Sequence, residues 1–373
     1  MGFSVILLIL LIALAAFFIY RCFHTCKAKI TYNPSGGMAP LITTMKSLSK
    51  PFNPTPWLVG GNLQTIMGMR FRKKSSSKYR RDQFLFEDGG TCILDWFEPE
   101  NAEKDTPIVA IIHTLAGGTR EPCTNCFANA VKKHGWRAVV LNCRACSGAP
   151  ITSKRLYNAL QVDDQQAMVR HIKEQFSPKY FFMAGFSLGS MQAINYNLSQ
   201  ESENIIHVDG LLLISHIYDT KQSALILERP LQSKLYLSVI ISKLTHALKK
   251  NKYVEGELRE AINAKTLCEF DDKFTSKTLG LKDHIEYYSK IKIYDLIPKL
   301  KVPTLIIGAD DDPFTEPKYQ PIKEVSESES VALLTYPEGG HVSFLTGMNG
   351  QKSVVDTVGI EYFDTIISNL KLV

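Results

Sequence analysis

The sequence carries almost no surplus charge outside one short run. Seven positive residues, Arg70, Arg72, Lys73, Lys74, Lys78, Arg80 and Arg81, exceed the net charge of +6 on all 373 residues, so the remainder of the chain is slightly acidic. A basic run without any accompanying nucleic-acid motif does not make a nucleic-acid-binding protein, and that class is set aside. No period recurs along the chain, which excludes a repeat architecture. Charge is missing altogether from Gly2 to Tyr20. At ~1.5 Å per residue that apolar stretch is long enough to cross a ~30 Å hydrocarbon core. No Lys or Arg precedes it, and Phe17, Phe18, Ile19 and Tyr20 continue it past the small-residue stretch Ala13, Leu14, Ala15. It therefore reads as a retained transmembrane helix over residues 1–21 and not as a cleaved signal peptide. Arg21, Lys27 and Lys29 all lie on its C-terminal flank, a bias that places the body of the protein in the cytosol, on the endoplasmic reticulum or another endomembrane.

With 45% hydrophobic residues over all 373, the chain can bury one large core or two small ones. Cys123, Cys126, Cys143 and Cys146 have the spacing of a zinc ribbon, but the first pair sits in a helix-like stretch and the second straddles a strand end. Reduced cysteines in an αβ unit are the better reading. Residues 22–81 read as a linker, from about Thr31 to Pro56, then a Gly- and amide-rich stretch from Trp57 to Gly68, then the basic run. That run suits either a solvated loop or contact with an anionic leaflet. From residue 82 the periodicity sharpens. Phe84, Phe86, Cys92, Leu94 and Trp96 alternate around Asp88, Gly89, Gly90, a hairpin signal. Apolar strands at Ile108–Ile112, Ala138–Leu141, Phe181–Ala184 and Gly210–Ile214 then alternate with helices, which implies a mostly parallel sheet covered on both faces. The alternation breaks at about 219–298, a helical insertion suited to a lid, and resumes at Thr304–Ile307 and Val331–Tyr336.

Three strand ends carry chemistry. Gly185, Phe186, Ser187, Leu188, Gly189 is a GxSxG pattern after a strand, where Gly185 and Gly189 let the turn close and hold the serine proud of the sheet. Asp310, Asp311 and Asp312 follow the strand that ends at Ile307, and His341 follows the one that ends at Tyr336. A serine hydroxyl becomes a useful nucleophile only when a histidine takes its proton and a carboxylate holds that imidazole in one tautomer. Each residue alone has a plainer explanation, as a turn, a cap or a core histidine. Their chain order of Ser, Asp, His is that of an α/β hydrolase. Two oxyanion donors are expected, the N–H of Leu188 and the N–H of Leu115 in the loop after Ile112.

The blocks WLVGGNLQTI (from Trp57), DGGTCILDW (Asp88 to Trp96), NCRACSG (Asn142 to Gly148), GFSLG, DDPF (from Asp311) and GGHVSF (from Gly339) resemble the alpha/beta-hydrolase-domain family of membrane-anchored phospholipase-like hydrolases and medium-chain fatty-acid ethyl ester synthase/esterases. The resemblance runs from about Pro56 to the C-terminus. It implies an α/β-hydrolase fold over 82–373 and makes the first carboxylate of DDPF, Asp311, the acid. It also marks three departures, Thr114, Ser190 and Ser343, at positions where the family usually has Gly. None of the nine histidines has Asp five positions on, so the acyltransferase motif of some relatives is missing. The expected protein is a membrane-anchored serine hydrolase of lipid carboxylic esters that needs no cofactor or metal and can pass its acyl group to water or to an alcohol. The alternative is a catalytically silent hydrolase fold that binds lipid or serves as a scaffold.

Overall fold

Short, wholly apolar runs dictate the centre of the molecule. The computed structural model describes residues 2–202 and 208–370; Met1 and 371–373, at the ends of the expected anchor and domain, lie outside them. Nine strands form one sheet: β1 (Lys29–Tyr32), β2 (Arg80–Leu85), β3 (Thr91–Phe97), β4 (Ile108–Ile112), β5 (Arg137–Asn142), β6 (Phe181–Phe186), β7 (Gly210–Ile214), β8 (Thr304–Ala309) and β9 (Val331–Tyr336). Their order is β1-β9-β8-β7-β6-β4-β5-β3-β2. The contiguous strands from β9 to β5 are parallel, while β1, β3 and β2 run antiparallel at the edges. Every residue of β4 to β9 is buried, as expected of strands covered on both faces.

Alternation along each strand divides the core in two. Val109 and Ile111 face one layer, with Phe127 of α4 (Pro122–Lys133) and Tyr362 and Phe363 of the C-terminal helix Val354–Leu370. Ile108, Ala110 and Ile112 face the other, with Met168, Val169 and Ile172 of α5 (Asp163–Gln175) and Ala193 and Ile194 of α6 (Leu188–Ser202). Thr220 to Lys299, between β7 and β8, is a run of short helices plus a longer one, Ser238–Lys250. Its apolar residues Leu237, Ile241, Leu244 and Leu248 pack in a third cluster with Met191 and Phe314, above the C-terminal edge of the sheet.

The N-terminal region departs from the linker expected of it. The helix α1 (Gly2–Phe23) stands clear of the domain: its window Val5–Phe23 has a mean hydropathy of 2.7 and is 6% buried. Beyond it the chain does not drape loosely. β1 pairs with β9 in register, Ile30 against Leu334, and α2 (Met38–Thr44) buries Met38, Leu41 and Ile42 in the first core layer. The missing sequence signal is length, since four residues of strand and seven of helix are too short for periodicity to declare. The basic run is likewise largely built in. Arg72 is buried and pairs with Asp356, Arg81 makes a two-pronged bond to Asp95, and Arg80 pairs with Asp82 and Glu98. Of the seven, Arg70, Lys73, Lys74 and Lys78 are exposed and form no ion pair among the described residues, as a leaflet-facing cluster needs.

Candidate active site

The nucleophile turn begins where β6, the middle strand of nine, meets α6. Ser187 sits at φ 53°, a conformation that costs a non-glycine residue about 1–3 kcal/mol and persists only where the surroundings enforce it. They do: its N–H donates to the Ile214 carbonyl at 2.8 Å, and its carbonyl accepts from the Ser190 N–H at 2.9 Å. The two glycines are steric necessities. A Cβ on Gly185 would meet the Gly189 carbonyl oxygen at 2.4 Å, and one on Gly189 would meet the Ile112 carbonyl oxygen at 2.2 Å.

His341 lies 2.8 Å from Ser187 Oγ through Nε2 and 2.8 Å from Asp312 Oδ2 through Nδ1. All three residues are buried. Phe314 stacks on the imidazole at 4.1 Å, and Thr65 of α3 (Gly61–Ile66) accepts the His341 backbone N–H at 2.8 Å. The structure thus corrects the choice among the three aspartates. Asp311 turns to the loop before His341 and accepts the N–H groups of Gly339 and Gly340 at 2.9 and 2.8 Å through Oδ1, while its Oδ2 has no partner. Asp312, one residue later on the turn, presents the opposite side to the imidazole and anchors its other oxygen on the Phe314 N–H at 2.8 Å. Asp310 is exposed and bonds Gln320. Burial, reinforced by the neighbouring Asp312 and Glu338 charges, pushes the Asp311 carboxyl up to about 6 against the two amides that pull it down.

Leu188 follows the serine, and because a trans peptide points its C=O and N–H in opposite directions, the tethered Ser187 carbonyl turns the Leu188 N–H away from α6. The same reasoning applies to Leu115. The Thr114 carbonyl accepts a bond from His113 Nδ1 at 2.7 Å, and His113 Nε2 accepts the Cys143 N–H at 3.0 Å. Those two bonds require the neutral Nδ1–H tautomer, and burial holds the ring in that state by lowering its pKa to about 4. Sequence reasoning gave His113 no role; its signal was a histidine at a strand end next to the expected oxyanion loop.

None of the three departures from glycine enters the line between Ser187 and His341. The Thr114 hydroxyl bonds both oxygens of Glu121, at 2.9 and 2.7 Å. Ser190 Oγ bonds the Ser187 carbonyl and His216 Nδ1, and Ser343 Oγ bonds the His341 carbonyl and lies against Gly68. The four CxxC thiols are dispersed. Cys126 donates to the Lys73 carbonyl and Cys143 to Gln192, and burial pushes all four thiol pKa values up.

Two cavities share a wall beside the serine, and one of them reaches it. One, of about 130 Å³, is walled by Met191, Ile217, Leu244 and Phe270 and reaches Ser187 and His341. The other, of about 390 Å³, shares Met69, Leu115, Ile240 and Phe314 with it and adds Arg70, Arg120, Glu121 and Lys243.

A mostly parallel sheet that offers a serine on a strained turn after its middle strand, with an aspartate and a histidine following in chain order, is the architecture of an α/β hydrolase. The chain belongs to the alpha/beta hydrolase fold family, whose pattern it matches over residues 107–348. It is 30% identical to an abhydrolase domain-containing protein of Dictyostelium discoideum over 85% of this chain and 82% of that one. It is 26% identical to the phospholipase ABHD3 of Mus musculus over 81% of this chain and 75% of the relative. Among solved structures, the Pyrococcus furiosus esterase Pf2001 superposes with a TM-score of 0.53 at 14% identity, over 78% of this chain and 92% of the esterase, a likeness of fold.

Proposed function

We propose that the protein is a membrane-anchored serine hydrolase that cleaves carboxylic ester bonds of lipids through an acyl-enzyme. The observation that carries this reading is the single histidine held at 2.8 Å from both Ser187 Oγ and a buried carboxylate. In the proposed cycle Ser187 Oγ attacks the ester carbonyl while His341 Nε2 takes its proton, and Asp312 fixes the Nδ1–H tautomer and stabilises the imidazolium. The carbonyl oxygen gathers negative charge between the N–H groups of Leu115 and Leu188. Collapse expels the alcohol, which takes the proton back from His341, and leaves the acyl group on Ser187. Water, activated by the same histidine, then releases the acid; an alcohol in its place would give a new ester.

The apolar 130 Å³ cavity suits the acyl chain. The wider cavity, with Arg70, Arg120 and Lys243 in its wall, suits a headgroup that carries phosphate, which favours a phospholipid over a neutral acylglycerol. Its one carboxylate, Glu121, is tied to the oxyanion-side loop, where it accepts the Thr114 hydroxyl, and three cations outnumber it in that wall. The phospholipase activity named for the mouse relative points the same way. The apolar α1 supplies the anchor, and the cations Arg21, Lys27 and Lys29 behind it favour a cytosolic domain.

Fluorophosphonate labelling tests the reading directly. The full chain is expected to take up one label that Ser187→Ala abolishes, with loss of esterase activity. Equal labelling of Ser187→Ala, or none of the native chain, would favour the silent scaffold.

A further inference from the structure

The segment from Trp57 to Phe71 has two unlike sides. Its inner side is locked to the active-site loops. A Cβ on Gly61 would meet the Asp311 carbonyl oxygen at 1.7 Å, Gln64 accepts the Leu345 N–H at 2.9 Å, and Thr65 accepts that of His341. Its outer side presents Trp57, Val59, Leu63 and Phe71, which are 41%, 45%, 46% and 60% exposed. Large apolar side chains stand open singly elsewhere on the domain, Leu85 and Ile285 among them, but here four lie within fifteen residues, and a clustered patch of this kind marks an interaction site.

Two observations say what covers it. The first is continuity with α1. Arg21, in the last turn of that helix, makes a two-pronged bond to Glu338 at 2.9 and 2.8 Å and donates to the Pro56 carbonyl at 3.4 Å, so the apolar helix leaves the domain beside Trp57. Trp57 Nε1 in turn donates to the carbonyl of Met348, itself 59% exposed, which extends the apolar surface. The second is charge. Arg70 and Lys73 flank Phe71 and are exposed, the arrangement in which aromatic and cationic side chains share the headgroup layer of a bilayer.

We propose that Trp57 to Phe71 forms a second membrane contact, an interfacial shelf resting on the same phospholipid bilayer that α1 crosses. Ile66, Met69 and Arg70 of this segment also line the wider cavity, so the shelf sets the cavity mouth against the lipid surface. A lipid ester then enters without crossing water. The shelf rests on the anchoring role given to α1 but not on the identity of the reaction.

Tryptophan fluorescence of the full chain in nanodiscs tests it. Trp96 and Trp136 are buried at 1% and 8% exposure, and α1 contains no tryptophan, so Trp57 is the one that acyl chains could touch. Phosphatidylcholine brominated on its acyl chains is expected to quench part of the emission, by about a quarter to a third, and Trp57→Phe is expected to lose that component while the emission of Trp96 and Trp136 reports an intact fold. Equal quenching of native chain and variant, or no quenching, overturns the shelf. A chain that does not co-purify with the discs overturns anchor and shelf together.

Discussion

Asp311 and Asp312 are neighbouring carboxylates with opposite surroundings, and their substitution separates structure from chemistry. Asp312→Asn keeps the shape but offers His341 Nδ1 an amide, which destabilises the productive tautomer; turnover is expected to fall by about 10⁴-fold with little change in fold. Asp311→Asn leaves the imidazole's partner in place, and turnover is expected to stay within a few fold. Its effect lies in stability. The folded-state pKa of Asp311, about 6, is raised above the ordinary carboxylate value of 3.8, so the native state binds the extra proton and loses stability as pH rises through the window from about 4 to 6. The neutral amide removes that loss. Asp311→Asn is expected to stabilise the protein at pH 7 by about 1–2 kcal/mol, a part-buried share of the ~1.4 kcal/mol per pKa unit, and to flatten the pH dependence of thermal unfolding between pH 4 and 6. If Asp311→Asn instead silenced the enzyme and Asp312→Asn did not, the assignment made from the sequence would stand and the geometric one would fall.

At the scale of elements, what was legible depended on length and on partners. Strands of five or six buried residues declared themselves as apolar runs, and the three strand ends carrying Ser187, the aspartates and His341 followed from them. Which aspartate faces the histidine depends on how a three-residue turn rotates after β8, and no pattern of residue types encodes that. β1 and α2 were illegible for a related reason: they are short, and their burial comes from β9 and from the C-terminal helix, partners about 300 residues away in sequence. The composition of the Gly- and amide-rich stretch at Trp57 follows from its contacts, since α3 presses Gly61 and Thr65 onto the loops of Asp311 and His341, which are distant in sequence. The same loops receive the end of α1, where Arg21 and His24 both reach Glu338, three residues before His341. Burial would raise the Glu338 carboxyl, yet the Arg21 hydrogen bonds and charge outweigh it and hold the group below its usual range. Glu338→Gln leaves the buried Arg21 guanidinium without its counter-charge. A charge-assisted pair contributes ~1.5–3 kcal/mol, so a stability loss of about 2 kcal/mol is expected in thermal unfolding of the detergent-solubilised chain. Turnover is expected to fall further than the change in KM, because the loop that is loosened carries His341, the proposed general base, while most of the cavity wall comes from other elements.

Across the whole molecule, the sheet, the insertion and the N-terminal segment each contribute one wall of the space over Ser187. The loops after the strands supply Leu115 and His341, the Ser238–Lys250 helix supplies Ile240 and Leu244, and the N-terminal segment supplies Met69, while Lys243 and Arg70 line the wider cavity beside it. Arg120, at the end of the oxyanion loop, is exposed and lines the same cavity, and Lys243 Nζ lies 3.2 Å from the Ala116 carbonyl. Cations arriving from three separate elements around one cavity match a phosphate better than a neutral glycerol hydroxyl, and the match is measurable as a ratio. Each charge-assisted hydrogen bond to phosphate contributes ~1.5–3 kcal/mol, or about 10- to 100-fold in kcat/KM. Native enzyme is therefore expected to prefer a phospholipid over a diacylglycerol with the same acyl chains. Arg120→Ala, and separately Lys243→Ala, is expected to shrink that preference by about tenfold. A general disturbance of the oxyanion loop would lower both rates together and leave the ratio alone, in which case the wider cavity would not be the headgroup seat and the substrate would be sought among uncharged esters.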